Sequence, residues 1–330
     1  MGVQILEEEA WVPPLVVILF GPPGSWKTST LGCAEGAVWG DFHGSTKTFQ
    51  RKPRRLWDPV TGAHKPSGYP DLVDVVRDVA ADKKLLASLG PRPWLMLDGL
   101  DDIEEQYLIP EALRRADAKT LDENFFKPCN HLLAVHQEFR HELEALTRAG
   151  WSLGFTCHAQ NIERVNADGL NTLVCDMKLT YVSGKLGKWD IAPLWRDWAD
   201  HCVYLDLEGG KFGKLEKGDK LAKGAGSYTG GRVAYLRGEP WLEAKVRRLD
   251  GVPSPQSIKS PDELWALIYG KWAESFDSGA LERRRAEVQA LAEGAVVKAP
   301  EKLYAAIAAA KSTDALNKIA AQLKTKETKE

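Results

Sequence analysis

LVVILFGPPGSWKTSTLG, Leu15 to Gly32, is the stretch on which the fold turns. The apolar run Leu15 to Phe20 enters the turn Gly21, Pro22, Pro23, Gly24 and leaves through Ser25, Trp26, Lys27, Thr28 and Ser29. A short, continuous apolar run bounded by Gly and Pro reads as a strand buried on both faces, as in the middle of a parallel sheet. A helix is expected from about Lys27. In that order the backbone N–H groups of Gly21 to Lys27 can wrap a phosphate, with the positive end of the helix dipole behind them. Lys27 would reach the β- and γ-phosphates of a nucleoside triphosphate, and the Thr28 hydroxyl would hold Mg²⁺. ATP and Mg²⁺ are therefore the expected cofactors, and residues 21–29 their cradle. The bland alternative is a Gly-Pro turn joining any strand to any helix.

The pattern G-x-x-x-x-G-K-[ST] asks for a second Gly immediately before the Lys, and Trp26 stands there. Binding is expected to survive. If the position begins the helix, right-handed φ/ψ suffices, and any residue but Pro supplies the N–H groups that grip the phosphate. A second motif supports the first. WLMLDG, Trp94 to Gly99, is an apolar strand ending in Asp98, a carboxylate placed to hold a water of the Mg²⁺ shell.

Composition bounds the class. A chain of 330 residues, 44% apolar and 27% charged, buries a full core and is expected to form one large domain with an appendage. No apolar run approaches a membrane span, and the acidic start MGVQILEEEAW is unlike a signal or transit peptide, so a cytoplasmic location is expected. Five scattered cysteines, never spaced C-x-x-C, indicate neither a disulfide framework nor a zinc site. A net charge of −2 excludes a uniformly basic surface, so any affinity for nucleic acid must come from local clusters.

Working outward, GAVWGDF (Gly36 to Phe42) reads as a strand, and Lys47 to Tyr69, rich in Pro and basic residues, as an exposed loop. Asp71 to Leu89 has helical spacing, and Leu132, His136, Phe139, Leu143 and Leu146 mark one face of a long helix that Gly150 ends. WSLGFTCHAQ returns as a strand, Trp189 to His201 reads as a helix, and CVYLDLE and RVAYLRG read as strands. This alternation predicts an α/β fold with a mostly parallel sheet covered by helices on both faces. A core over 1–275, a helical linker over 276–299 and a C-terminal helical hairpin with a charged tail over 300–330 are expected. Between two of the strands Lys211, Lys214, Lys217, Lys220 and Lys223 recur every third residue among glycines. Such a tip could lay lysines along a phosphate backbone, or be merely a soluble hairpin loop.

The ordered set GPPGSWKT, EGAVWGDFHGSTKTF, WLMLDGLDD, GFTCHAQ, WADHCVYLDLE and EAKVRR resembles the RecA-like ATPases of bacteriophages, in the group linked to single-strand annealing and homologous recombination. The resemblance covers roughly residues 12 to 270. It implies a RecA-like P-loop fold, a homo-oligomer (ring or filament), single-stranded DNA as partner, and the host cytoplasm. Such ATPases carry, after the second strand, a Glu that polarises the attacking water. Here His43 occupies that place, which implies slow hydrolysis; a polar residue at a strand end is the alternative reading. Asp101, Asp102, Glu104 and Glu105 are runner-up bases or simply an acidic helix start.

His158 and Gln160 end WSLGFTCHAQ, and the resemblance makes Gln160 the sensor of the γ-phosphate, against a plain turn residue. It places the DNA-contacting loop at Asn161 to Lys188, with Arg164, Lys178, Lys185 and Lys188 for phosphates and Tyr181 and Trp189 for stacking. In EAKVRR it assigns Lys245 and Arg247 to a neighbouring subunit's γ-phosphate, against a plain basic strand end. Other functions stay open: a helicase loader or motor-type replication accessory ATPase, or a nucleotide-binding regulator that barely hydrolyses ATP.

Overall fold

The computed structural model describes residues 12–49, 53–165, 171–184, 187–208, 231–249, 251–276, 287–289, 300–309 and 319. The chain divides into two compact units, one of Pro14–Ile268 and one of Met1–Pro13 with Tyr269–Glu330.

The larger unit is built on a ten-stranded sheet. Its strands, in chain order, are β1 (Val16–Gly21), β2 (Ala37–Asp41), β3 (Arg54–Arg55), β4 (Trp94–Asp98), β5 (Ser152–Val165), β6 (Asn171–Met177), β9 (His201–Leu207), β10 (Arg232–Tyr235), β11 (Lys245–Val246) and β12 (Gln256–Ile258); β7 (Tyr181–Gly184) and β8 (Gly187–Asp190) form a separate hairpin. The spatial order is β12-β10-β9-β1-β5-β4-β2-β3, with β6 on β5 and β11 on β9. From β9 to β3 every pairing is parallel. Strands β10, β11 and β12 join antiparallel. This is the mostly parallel α/β architecture that the alternation of strand and helix predicts. The strands β1 and β4 read as continuous apolar runs because both are buried along their whole length.

Helices fill the crossovers. They are α1 (Lys27–Leu31), α2 (Tyr69–Ala81), α3 (Lys83–Leu89), α4 (Leu100–Ile103), α5 (Ile109–Ala116), α6 (Glu123–Arg148), α7 (Ala192–Trp198) and α8 (Pro261–Trp265). A wider π turn, Glu104–Leu108, joins α4 to α5. On α6 the predicted face is fully buried: Leu132, His136, Phe139, Leu143 and Leu146 are each 0% exposed. His136 sits in this row because both ring nitrogens are satisfied. Trp195 Nε1 donates to Nδ1 at 3.0 Å, which leaves Nε2–H to face Glu104 Oε1 at 3.0 Å.

Three expectations are corrected. The helix read over Asp71 to Leu89 is two helices, because the Asp82 carboxylate accepts the amides of Lys84 and Leu85 and starts a new one. The stretch Lys47 to Tyr69 is not simply an exposed loop. It adds β3 to the sheet edge and buries Trp57, whose Nε1 donates to the Asp41 carbonyl at 2.8 Å and whose ring meets Phe42 at 4.9 Å. Trp189 belongs to β8, so the helix expected from there begins only at Ala192.

In the smaller unit, α9 (Lys271–Phe276) and α10 (Pro300–Ala309) are described, and Trp272 Nε1 donates to the Pro13 carbonyl at 3.3 Å. The second helix expected in the C-terminal hairpin lies outside the described residues, except for Ile319. No helix among the described residues is long and apolar enough to cross a membrane.

Candidate phosphate-binding site

The loop after β1 is held by its glycines. Gly21 has φ +152 and packs against the Leu205 carbonyl so closely that a Cβ could not enter, and Gly24 has φ +76. Trp26 departs from expectation. Its φ of 71 and ψ of 14 are left-handed, so the second Gly of the pattern answers a conformational demand that Trp26 meets under strain. A neighbour compensates. The Arg232 guanidinium, from the start of β10, lies 4.6 Å from the centre of the Trp26 ring, and its Nε donates to the Gly24 carbonyl at 2.9 Å.

Lys27 opens α1 and is 8% exposed. Its Nζ donates to the carbonyls of Gly21 and Pro22, both at 2.9 Å. Burial lowers its pKa, while the Cys157 thiol and the Asp98 and Asp101 carboxylates act the other way. Thr28 points to the neighbouring motif. Parallel register sets Asp98 beside Asp41 and Thr156, and His158 beside Gly21, so the strand ends form one rim. Asp98 Oδ1 accepts from Thr28 Oγ1 at 2.9 Å and from Thr156 Oγ1 at 2.6 Å.

Asp98 Oδ2 is buried and takes no hydrogen bond of normal length, with the Ser45 hydroxyl beside the carboxylate. Burial raises the Asp98 pKa. A buried carboxylate oxygen short of a donor, next to a threonine hydroxyl, is an all-oxygen set of the kind Mg²⁺ takes, so the residues present fit that ion. Thr28 and Asp98 would hold it, and it would neutralise charge on phosphate oxygens. These groups line a cleft of about 260 Å³, together with Pro23, Gly24, Lys27, His43, Cys157 and His158.

Asp41, beside Asp98 in the sheet, is fully employed. Its two oxygens accept from the amides of Gly44, Ser45 and Thr46 and from Thr46 Oγ1, which leaves it as the cap of the turn. His43 faces the cleft with Nε2 on the Asp102 carboxylate, and that contact raises its pKa. Gly99 makes the pair possible. With φ +111 it brings its backbone so near that a Cβ would strike Asp102 Oδ2 and the His43 ring. Of the runner-up bases, Asp101 binds His158, Glu104 is buried and accepts the Thr180 amide, and Glu105 is exposed.

Gln160 does not line the cleft. Strand β5 keeps parallel partners on β1 as far as His158 and then runs on as an antiparallel arm with β6, which carries Gln160 about 7 Å further along. Its amide donates to the carbonyls of Met177 and Leu179. The cleft-facing residue at this strand end is His158, with Nδ1 2.8 Å from Asp101 Oδ2 and its amide donating to Asp101 Oδ1. No neighbour along the chain marks it, since His158 and Gln160 are both polar residues at the end of the same apolar run.

The residues read as DNA contacts fare unequally. The Arg164 guanidinium is enclosed by the carboxylates of Asp176, Asp190 and Glu243, so its charge is spent inside the fold. Trp189 donates to Asn130 and stacks on Phe126 at 5.0 Å, and the Tyr181 hydroxyl donates to the Glu163 carbonyl at 2.7 Å. Lys178 and Lys188 keep side chains 53% and 51% exposed, at 3.8 Å from Asp101 and 3.9 Å from Asp190. Lys185, Lys211, Lys214, Lys217, Lys220 and Lys223 lie outside the described residues.

Lys245 and Arg247 are also engaged at home. Lys245 Nζ donates to the carbonyls of Arg196 and Asp197, and Arg247 bonds the Asp197 carbonyl and Asp200. Both cations therefore meet the negative end of α7.

No family model matches the chain, and no curated protein matches it. Among solved structures, a KaiC-like protein from the hyperthermophilic archaeon Pyrococcus horikoshii is similar at 15% identity and a TM-score of 0.31, over 76% of this chain and 88% of that one.

Proposed function

We propose that the chain binds Mg-ATP in this cleft and hydrolyses it slowly. The carrying observation is one constellation: the buried Lys27 at the head of a glycine-held loop, the Thr28 hydroxyl on Asp98, and the under-bonded Asp98 Oδ2 beside it. Lys27 would leave the two loop carbonyls for phosphate oxygens, a stronger, charge-assisted exchange. Slow turnover follows from imidazoles at the places where such ATPases set a carboxylate and a sensor. Asp41, the carboxylate two residues before His43, is committed to its turn and cannot substitute.

The finer reading is an ATP-dependent protein of the bacteriophage recombination or annealing type, working as a homo-oligomer on single-stranded DNA. Its support is the half-exposed pair Lys178 and Lys188 and the lysine run from Lys211 to Lys223. The engagement of Arg164, Tyr181 and Trp189 within the fold favours a second reading, an accessory ATPase whose main partner is another protein such as a replicative helicase.

Two measurements test this. Lys27→Ala should weaken Mg-ATP binding at least tenfold, about 1.4 kcal/mol, and unchanged affinity in the folded variant refutes the site. The log affinity for a labelled oligonucleotide, read by anisotropy, should fall with log salt by about 0.7 per phosphate contact. No binding at low salt, with or without ATP, removes the DNA reading and promotes the second.

A further inference from the structure

Beside the all-oxygen pair of Thr28 and Asp98, the cleft carries a second donor set of a different chemistry. His43, Asp101 and His158 each offer a ligand atom, and these atoms lie within 4.8 Å of one another. The two imidazole rings meet edge to face, 5.2 Å apart at 82°. We infer that His43, Asp101 and His158 bind a divalent first-row transition metal, an ion separate from the Mg²⁺ of the nucleotide.

Donor type selects the ion. Two imidazoles and one carboxylate suit Zn²⁺, Co²⁺, Mn²⁺ or Fe²⁺, whereas Mg²⁺ and Ca²⁺ prefer oxygen alone. Distance permits it. Bonds of about 2.1 Å hold tetrahedral ligands about 3.4 Å apart, so no pair needs to close by more than about 1.4 Å. The ion would take the place of the proton shared between His158 Nδ1 and Asp101 Oδ2.

The surroundings are those of a held site. An imidazole with one nitrogen on a carboxylate is oriented and made more basic at the other, and Asp102 does this for His43. Asp101 is 5% exposed and fixed by the His158 amide on its other oxygen. The left-handed Gly99 leaves room for the His43 and Asp102 pair, which any side chain there would break apart. Charge points the same way. Asp98, Asp101 and Asp102 set a negative wall around His43, which lines the cleft, with the Lys27 ammonium near Asp98 and Asp101 and that of Lys178 3.8 Å from Asp101. A second cation there lowers the repulsion between that wall and any phosphate.

The test uses the full chain stripped with a chelator and titrated with Co²⁺ alone, without nucleotide, and followed by its ligand-field absorption. One equivalent should bind, persist in millimolar Mg²⁺ and be displaced by Zn²⁺. His43→Ala and His158→Ala should each weaken binding at least tenfold. Cys33→Ser, which removes the thiol that is not buried, should leave binding unchanged. Absence of a Co²⁺ signal overturns the site, as does a signal that both histidine variants retain or that Cys33→Ser abolishes. Should His158→Ala fail to fold, His43→Ala alone decides. Nucleotide binding measured separately in Mg²⁺ alone keeps a failure here distinct from a failure of the Mg-ATP reading.

Discussion

Trp26 offers a test in which the order of two common substitutions inverts. Its left-handed backbone, φ 71 and ψ 14, costs a residue bearing a Cβ about 1–2 kcal/mol relative to the right-handed region. The stack with Arg232 at 4.6 Å returns about 0.5–1 kcal/mol. Trp26→Ala keeps the strain and loses the stack, so it should destabilise the chain by about 1 kcal/mol. Trp26→Gly loses the stack and the strain together, at an entropic cost of about 0.5–1 kcal/mol. Gly should therefore equal or exceed Ala in stability, by up to about 1.5 kcal/mol, whereas at a helical position Ala exceeds Gly by about 1 kcal/mol. Urea unfolding of the two variants reads the difference directly from their midpoints, provided the slopes agree. In a double-mutant cycle Arg232→Ala should couple to Trp26→Ala by about 0.5–1 kcal/mol. A Gly variant clearly less stable than the Ala variant would refute the strained-loop account.

Burial depresses the pKa of His201 to about 4. The unfolded chain then takes up a proton that the folded one refuses, so stability is lost as pH falls from about 6.5 towards 4, by about 2 kcal/mol between pH 7 and 5. In His201→Gln that slope should flatten in denaturation series at the two pH values. Arg164→Ala takes the nearest cation from Asp190 and one of two from the fully buried Asp176, which keeps Arg196 at 2.8 Å, and should cost about 2 kcal/mol by chemical denaturation, with partial recovery on adding Asp190→Asn. Asp82→Ala removes the cap of α3 and should cost about 1 kcal/mol, seen as faster amide exchange at Lys84 and Leu85.

What was legible in the sequence was whatever depends on neighbours along the chain. β1 and β4 announce themselves because a strand buried on both faces must be apolar throughout, and α6 because one buried face repeats at helical spacing. The loop between β1 and α1, with Lys27, Thr28 and Asp98, could be read because its chemistry requires fixed residues at fixed places. Long-range register was not legible. That β5 leaves the parallel sheet after His158 is decided by where β6 returns, so Gln160 and His158 could not be told apart as the rim residue. The fate of Arg164 depends on Asp176, Asp190 and Glu243, the last of them 79 residues away. Trp26 escaped for another reason: a left-handed φ at a bulky residue is the rare outcome, and its compensation comes from Arg232, far along the chain.

The sheet order also dictates when the loop strand can be sheltered during synthesis. β1 lies between β5 and β9 and pairs with nothing made earlier than Leu153 and His201. At roughly 5–20 residues per second a ribosome needs roughly ten to forty seconds to travel from Gly21 to His201. Until Leu153 to His158 are made, Val16 to Phe20 is an apolar segment with both edges open, the form most prone to pairing with another chain, and one edge stays open until His201. The phosphate loop, first among the motifs to be translated, is thus among the last to gain its structural support, and a nascent chain of this protein depends on being kept apart from its siblings until its second half has emerged.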